Sequence, residues 1–134
     1  MRRIRFLLAA LLAACALPTG GGDAKVSYDV DRASYGRHET ISTALVNTSG
    51  EDAGYNLCVS VLEKRAGGGF RRVERTPEHP CALMLFTLHP GETATYTEPA
   101  SVFPGPGTYR LRTTVEAPIS GRRFSVVTDP FVVE

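Results

Sequence analysis

From Asp23 onward, every stretch of this chain that shows periodicity repeats every two residues or runs through β-branched side chains, and no ten residues sustain helical spacing. That pattern directs the chain to extended structure. The segment Tyr109 to Val115 shows it best: Tyr109, Leu111, Thr113 and Val115 fall on one face, and Arg110, Arg112 and Thr114 on the other. One side of such a strand faces a core and the other faces water.

The periodicity predicts strands over Lys25 to Val30, Glu39 to Asn47, Tyr55 to Lys64, Phe70 to Arg75, Ala82 to Leu88, Glu92 to Glu98, Thr108 to Ala117 and Arg122 to Val133. Between them lie explicit turn signals: Ser34-Tyr-Gly36, Asn47-Thr-Ser-Gly50, Gly67-Gly-Gly69, His89-Pro-Gly91, Phe103-Pro-Gly-Pro-Gly107 and Pro118-Ile-Ser-Gly121. Glycine supplies positive φ and proline removes a ladder donor. In the Tyr55 to Lys64 run both faces carry apolar groups, as a covered central strand requires. Thr128-Asp-Pro130 predicts a kink or bulge in the last run, because a proline within a sheet is tolerated only at such a place or at an edge. Seven or eight short strands with regular punctuation describe an all-β, immunoglobulin-like antiparallel β-sandwich, with an up-and-down barrel as the rival.

Ahead of this region, residues 1 to 22 have the layout of a signal segment: a basic start (Arg2, Arg3, Arg5), an apolar run from Phe6 to Ala14, then Cys15 and a Pro/Gly-rich stretch from Pro18 to Gly22. The apolar run falls short of the roughly 18 to 20 residues that span a bilayer. Two cleavage sites compete. Leu12-Ala13-Ala14-Cys15 resembles the bacterial lipobox, which implies a diacylglyceryl group on Cys15 and a membrane anchor of several acyl chains. Ala14-Cys15-Ala16 also fits a small-x-small pattern, with ordinary secretion after a cut behind Ala16. The first reading gives a signal and tether over 1–22 and one domain over 23–134. Ala16 stands where a lipoprotein held at the inner membrane carries an aspartate resembling a retention signal, so the outer membrane of a Gram-negative cell is expected.

Charge argues against nucleic acid as a partner. The chain has 15 Lys and Arg against 14 Asp and Glu, and without the three leader arginines 12 basic residues face 14 acidic ones. The arginine clusters (Arg71, Arg72 and Arg75; Arg110 and Arg112; Arg122 and Arg123) are interspersed with Glu74, Glu78 and Glu116 and read as solvated strand faces. No nucleophile elbow, phosphate-cradling loop, zinc-protease helix or dinucleotide fingerprint occurs. Neither an enzyme nor a cofactor is expected.

Three cysteines are present. With Cys15 lipidated or removed, Cys58 and Cys81 have only each other, and export supplies an oxidising environment, so a disulfide is expected. Its loop length corresponds to about 3 kcal/mol of stability. A copper site from His79, Cys81, Met84 and His89 is the sharper alternative, although strand alternation sends Cys81 and Met84 to opposite faces. Asp29 and Asp31 alone fall well short of a calcium ligand set. Tyr109, opening a strand just after Pro106-Gly107-Thr108, matches a tyrosine corner.

The chain resembles the bacterial immunoglobulin-like domains carried behind lipoprotein leaders. The likeness rests on Tyr35-Gly36 before the Ile41-to-Asn47 strand, Tyr55-Asn-Leu-Cys58, Leu88-His-Pro-Gly-Glu92 and Phe103-Pro-Gly-Pro-Gly-Thr-Tyr-Arg-Leu111. It implies the fold and an envelope interaction or structural module with an unidentified protein partner. It supplies no catalytic residue. Tryptophan is absent, and the two domain cysteines are too close in sequence for the antibody-type pair between sheets. The order of strand, Pro-Gly-Glu, strand, Pro-Gly-x-Tyr also resembles the small β-sandwich proteinase inhibitors of bacilli. That likeness implies a protruding inhibitory loop, with Gly67 to Phe70 or Phe103 to Gly107 as candidates.

Overall fold

The computed structural model describes residues 25–134, so the leader, the 1–22 boundary and Cys15 lie outside the described residues. Eleven strands run in chain order as β1 (Val26–Val30), β2 (Ser34–Tyr35), β3 (Thr40–Asn47), β4 (Ala53–Tyr55), β5 (Val61–Ala66), β6 (Gly69–Val73), β7 (Phe86–Leu88), β8 (Thr93–Pro99), β9 (Gly107–Ala117), β10 (Arg122–Val127) and β11 (Phe131–Val133). Two single 3₁₀ turns, Leu57–Val59 and Ala100–Val102, complete the described residues.

One sheet has the order β1-β3-β8. In the other, β2, β11 and β9 lie side by side, β10 continues the β11 edge along β9, and β4 and β5 flank the opposite side of β9. The outer rim is β7 on β4 and β6 on β5. This is the immunoglobulin-like arrangement of two sheets, with β1, β3 and β8 in one and β4, β5, β9 and β10 in the other.

The strand count exceeds the expected eight by three, each for a local reason. The Tyr55 to Lys64 run is not one strand: it breaks at the Leu57–Val59 turn, separating β4 from β5. The last run breaks at Thr128-Asp-Pro130, where three residues face two on β9 and form the expected bulge. There Thr128 restores the ladder: the Leu111 amide donates to its Oγ1 at 3.0 Å, and its own amide donates to the Leu111 carbonyl at 2.9 Å. Ser34–Tyr35, read as a turn, instead pairs with β11, and the pairing is parallel in a sheet expected to be antiparallel throughout. The expected Ala82 to Leu88 strand shrinks to Phe86–Leu88.

Alternation on β9 holds, with Tyr109, Leu111, Thr113 and Val115 buried. In place of a tryptophan, the core carries a ring cluster: Phe103 lies 5.1 Å from Tyr109 and 5.9 Å from Phe131, and Tyr35 meets Phe131 edge-on at 5.7 Å. The Tyr35 hydroxyl donates to Asp31, and burial together with that bond pushes it up to about 12. Asp31 also accepts from the Ser42 amide, so this carboxylate pins a strand crossing. The Tyr109 hydroxyl donates to the Gly105 carbonyl at 2.6 Å, closing a tyrosine corner over a glycine at φ 88°.

Tyr109→Phe keeps the ring and orphans the Gly105 carbonyl. Stability is expected to fall by about 1–3 kcal/mol, read as a lower urea midpoint with an unchanged slope.

Candidate functional site

The break between β4 and β5 builds the site. Asn56 enters the turn in extended conformation at φ −151°, Leu57 plugs into the core, and Cys58 emerges half-buried. The turn is held from several sides. Arg75 donates to the Cys58 carbonyl, the Tyr28 hydroxyl from β1 lies 3.1 Å from Ser60 Oγ, and the Tyr96 hydroxyl from β8 reaches Cys58 Sγ at 3.5 Å.

Cys58 is bonded to Cys81, with Cα atoms 5.6 Å apart. Beyond Cys81 the chain runs through Ala82, Leu83, Met84 and Leu85 without strand pairing until β7 begins. Asn56, itself buried, reaches under this segment. Its Nδ2 donates to the Ala82 carbonyl at 2.6 Å and to the Met84 carbonyl at 2.9 Å. Leu83, between those carbonyls, is 93% exposed, and Met84, Leu85 and Phe86 are each more than 40% exposed. Leu85 lies over Gly54, where an added Cβ would sit 3.3 Å from its Cδ1, and Phe86 packs at 5.9 Å on Tyr55. Val59 extends the apolar surface across the turn. A hollow of about 290 Å³ opens on one flank, between Tyr55, Pro80, Phe86 and Tyr96. Another of about 180 Å³ lies on the other, between Val59, Leu85, Thr114 and Arg123.

Arg75 was expected on a solvated face and is instead buried. Its guanidinium pairs with Glu98 on β8, with both side chains about 5% exposed. The pair joins the connection after β6 to the opposite sheet. Glu98 Oε2 has no hydrogen-bond partner. Burial pushes the Glu98 carboxyl above its ordinary value, and Arg75 offsets only part of that. Arg110 and Arg112 do lie on an outer face, but both donate to Glu63 on β5, a partner that no local pattern marks.

Among the expected site residues, Cys58, Cys81 and Tyr109 take their expected roles. The copper set is dispersed chemically: Cys81 is in the disulfide, and the His89 imidazole pairs with Asp52 at 2.8 Å, which raises it above its usual value. Among the described residues no group of three or more His, Cys, Asp or Glu is placed to hold a metal. Of the two loops singled out for inhibition, Gly67 to Gly69 lies exposed at the tip of the β5–β6 hairpin. Phe103 is buried in the ring cluster, and Gly67 to Phe70 is a tight β5–β6 hairpin whose phenyl ring is covered by Arg110 at 4.2 Å. The segment Leu83–Phe86 exposes four consecutive large apolar side chains. An apolar run directly after a cysteine, Ala-Leu-Met-Leu-Phe with no polar alternation, was its signal in the sequence.

No family model matches the chain, and no curated protein matches it. Solved structures do match. The X-ray structure of Northeast Structural Genomics Consortium target SoR45 is 14% identical, with 82% of this chain and 83% of that one covered at a TM-score of 0.47. Pseudomonas fluorescens alkylpurine DNA glycosylase AlkC, bound to DNA containing an abasic site analog, is 16% identical over 86% of this chain and 32% of that one, TM-score 0.42. The ASH / PapD-like domain of human CEP192 is 14% identical over 98% of both chains, TM-score 0.41. The functional reading rests on this chain's own residues: an immunoglobulin-like sandwich that displays a disulfide-tethered apolar loop.

Reduction of Cys58–Cys81 is expected to lower stability by about 3 kcal/mol in denaturant titrations with and without reductant. Glu98→Ala strands a buried guanidinium and is expected to lose about 3–5 kcal/mol, whereas the double replacement Arg75→Met with Glu98→Leu loses far less. The folded chain holds the Glu98 proton to higher pH than the unfolded chain does. This carboxyl therefore makes stability decline as pH rises from its ordinary value of 4.5 through the raised one, and that decline is expected to vanish in the double variant.

Proposed function

We propose that this chain is a noncatalytic interaction module of the cell envelope, anchored by lipid on Cys15, and that the Cys81–Phe86 segment carries its contact with a protein partner. The observation that supports the contact is the Leu83–Phe86 apolar surface, fixed in place by the disulfide and by Asn56. Exposed apolar surface of this kind disfavours solubility unless a partner covers it, and a contact segment ordered in advance loses little entropy on binding. The anchor reading is supported by the leader alone, through Leu12-Ala13-Ala14-Cys15 and the Pro18 to Gly22 tether. Among the described residues no helix is long and apolar enough to cross a membrane.

Two measurements test the two halves. Intact mass of the protein from its native envelope is expected to start at an acylated Cys15; a chain starting at Leu17 would remove the anchor. A photo-crosslinking residue at position 83 is expected to give discrete protein adducts in the envelope, with none from position 68 on the β5–β6 turn. Equal labelling from both positions would contradict a loop-directed contact.

A further inference from the structure

Resting on that reading of the tethered segment, we infer that the partner contributes an extended peptide, which adds to the three-stranded sheet along the free edge of β8, beside the Cys81–Phe86 segment. A basic side chain of that peptide meets Glu98, and an apolar one two residues later enters the hollow between Tyr96 and Phe86.

A sheet edge recruits a strand when its main-chain groups are unpaired and nothing obstructs the approach. Among the described residues every other sheet edge is short or charged. β2 and β7 have two and three residues, β1 carries Asp29, β6 carries Arg71 and Arg72, and β10 carries Arg122 and Arg123. β8 runs for seven residues with one charged side chain, Glu98, and that one is buried. Its pairing with β3 decides which main-chain groups are left over. At one end the Asn47 amide donates to the Glu92 carbonyl, and at the other the Ala100 amide donates to the Glu39 carbonyl. Bonded and open positions alternate between these ends, so Ala94, Tyr96 and Glu98 bond to β3 while Thr95 and Thr97 turn N–H and C=O to the open side. Among the described residues no hydrogen bond uses those Thr95 and Thr97 groups. Pro99, which has no N–H to offer, falls in the same outward phase.

Side chains of an added strand face the same way as the β8 residues opposite them, so those opposite Tyr96 and Glu98 point inward. The first meets the hollow of about 290 Å³ that Tyr96 lines together with Tyr55, Pro80 and Phe86, an apolar place. The second meets a hollow of about 220 Å³ lined by Glu98, Glu78 and His79. Glu98 Oε2 is the buried side-chain oxygen that has no hydrogen-bond partner, and Glu78 adds another carboxylate. A lysine or arginine donor answers both, supplying to Oε2 what Arg75 supplies to Oε1. Antiparallel addition, the slightly more stable pairing, puts the basic residue first and the apolar one two positions later. The disulfide-tethered segment is then the far wall of the groove, held in place before the strand arrives.

The test uses the full oxidised protein in detergent and a short synthetic peptide of threonines with Lys-Thr-Leu at its centre. One control peptide has glutamate in place of lysine, and another sets lysine and leucine side by side, so that they face opposite ways. The Lys-Thr-Leu peptide is expected to bind about tenfold tighter than either control and to slow hydrogen exchange at the Thr95 and Thr97 amides. Glu78→Lys, a change at an exposed position, is expected to keep the denaturation midpoint and to weaken this peptide about tenfold. Thr97→Pro removes an edge donor that bonds to nothing in the free protein and is expected to abolish binding. No binding, equal binding of the three peptides, or binding that leaves both amides exchanging at their free rates would overturn the inference. A dimer of the free protein that Thr97→Pro dissolves would make a second copy the occupant and overturn it as well. Position-83 crosslinks that persist alongside any of these results would retain the interaction loop and exclude β8 as its docking strand, whereas loss of those crosslinks too would remove the loop reading itself.

Discussion

Strand β9 pairs with β4 and β5 in registers that do not agree, and much of the molecule follows from that mismatch. Gly54 faces Glu116 and Val61 faces Arg112, so seven steps along one side meet four along the other. The three surplus residues leave the sheet as the Leu57–Val59 turn. With no ladder to join, this turn presents Asn56 inward and Cys58 toward the rim, in reach of the chain that returns from β6. A continuous strand would have put both side chains on one face of the sheet, and Asn56 could not have turned inward beneath the segment after Cys81 while Cys58 faced the rim.

Around this turn polar groups converge from three parts of the fold. Tyr28, Arg75 and Tyr96 approach it from β1, from the connection after β6 and from β8. The Arg75–Glu98 pair is a poor source of net stability, because desolvating two charges offsets most of their attraction and one carboxylate oxygen has no donor. What it does supply is position: the guanidinium reaches both the Cys58 carbonyl and the opposite sheet, fixing where the turn sits relative to the core. Rigidity that begins in the sandwich is passed through the turn to the loop.

The parts of the fold legible in the sequence were those set by local pattern. β3, β8 and β9 have one face in the core, so alternation marks them, and the bulge at Thr128-Asp-Pro130 is marked by its proline. The tyrosine corner and the disulfide were legible for the same reason, since a tyrosine after a Pro-Gly turn and a single pair of thiols each leave few choices. Three things were not. The register change at Leu57–Val59 is set by partners on β9 some fifty residues away, and Ser34–Tyr35 is a strand only because β11 lies beside it. Arg75 looks like its solvated neighbours until Glu98 meets it from the other sheet. The Ala82–Phe86 run reads as a buried strand because apolar runs usually are buried; the tether that keeps it outside joins residues far apart in sequence.

The sandwich holds Ala82–Phe86 as a fixed, exposed display. Backbone ¹⁵N relaxation measures this directly. In the oxidised protein the amides of residues 82–86 are predicted to have order parameters near those of β9, about 0.85, with a clear drop in Asn56→Ala. Values below about 0.6 in the oxidised wild type would mean a mobile loop, and would contradict the account.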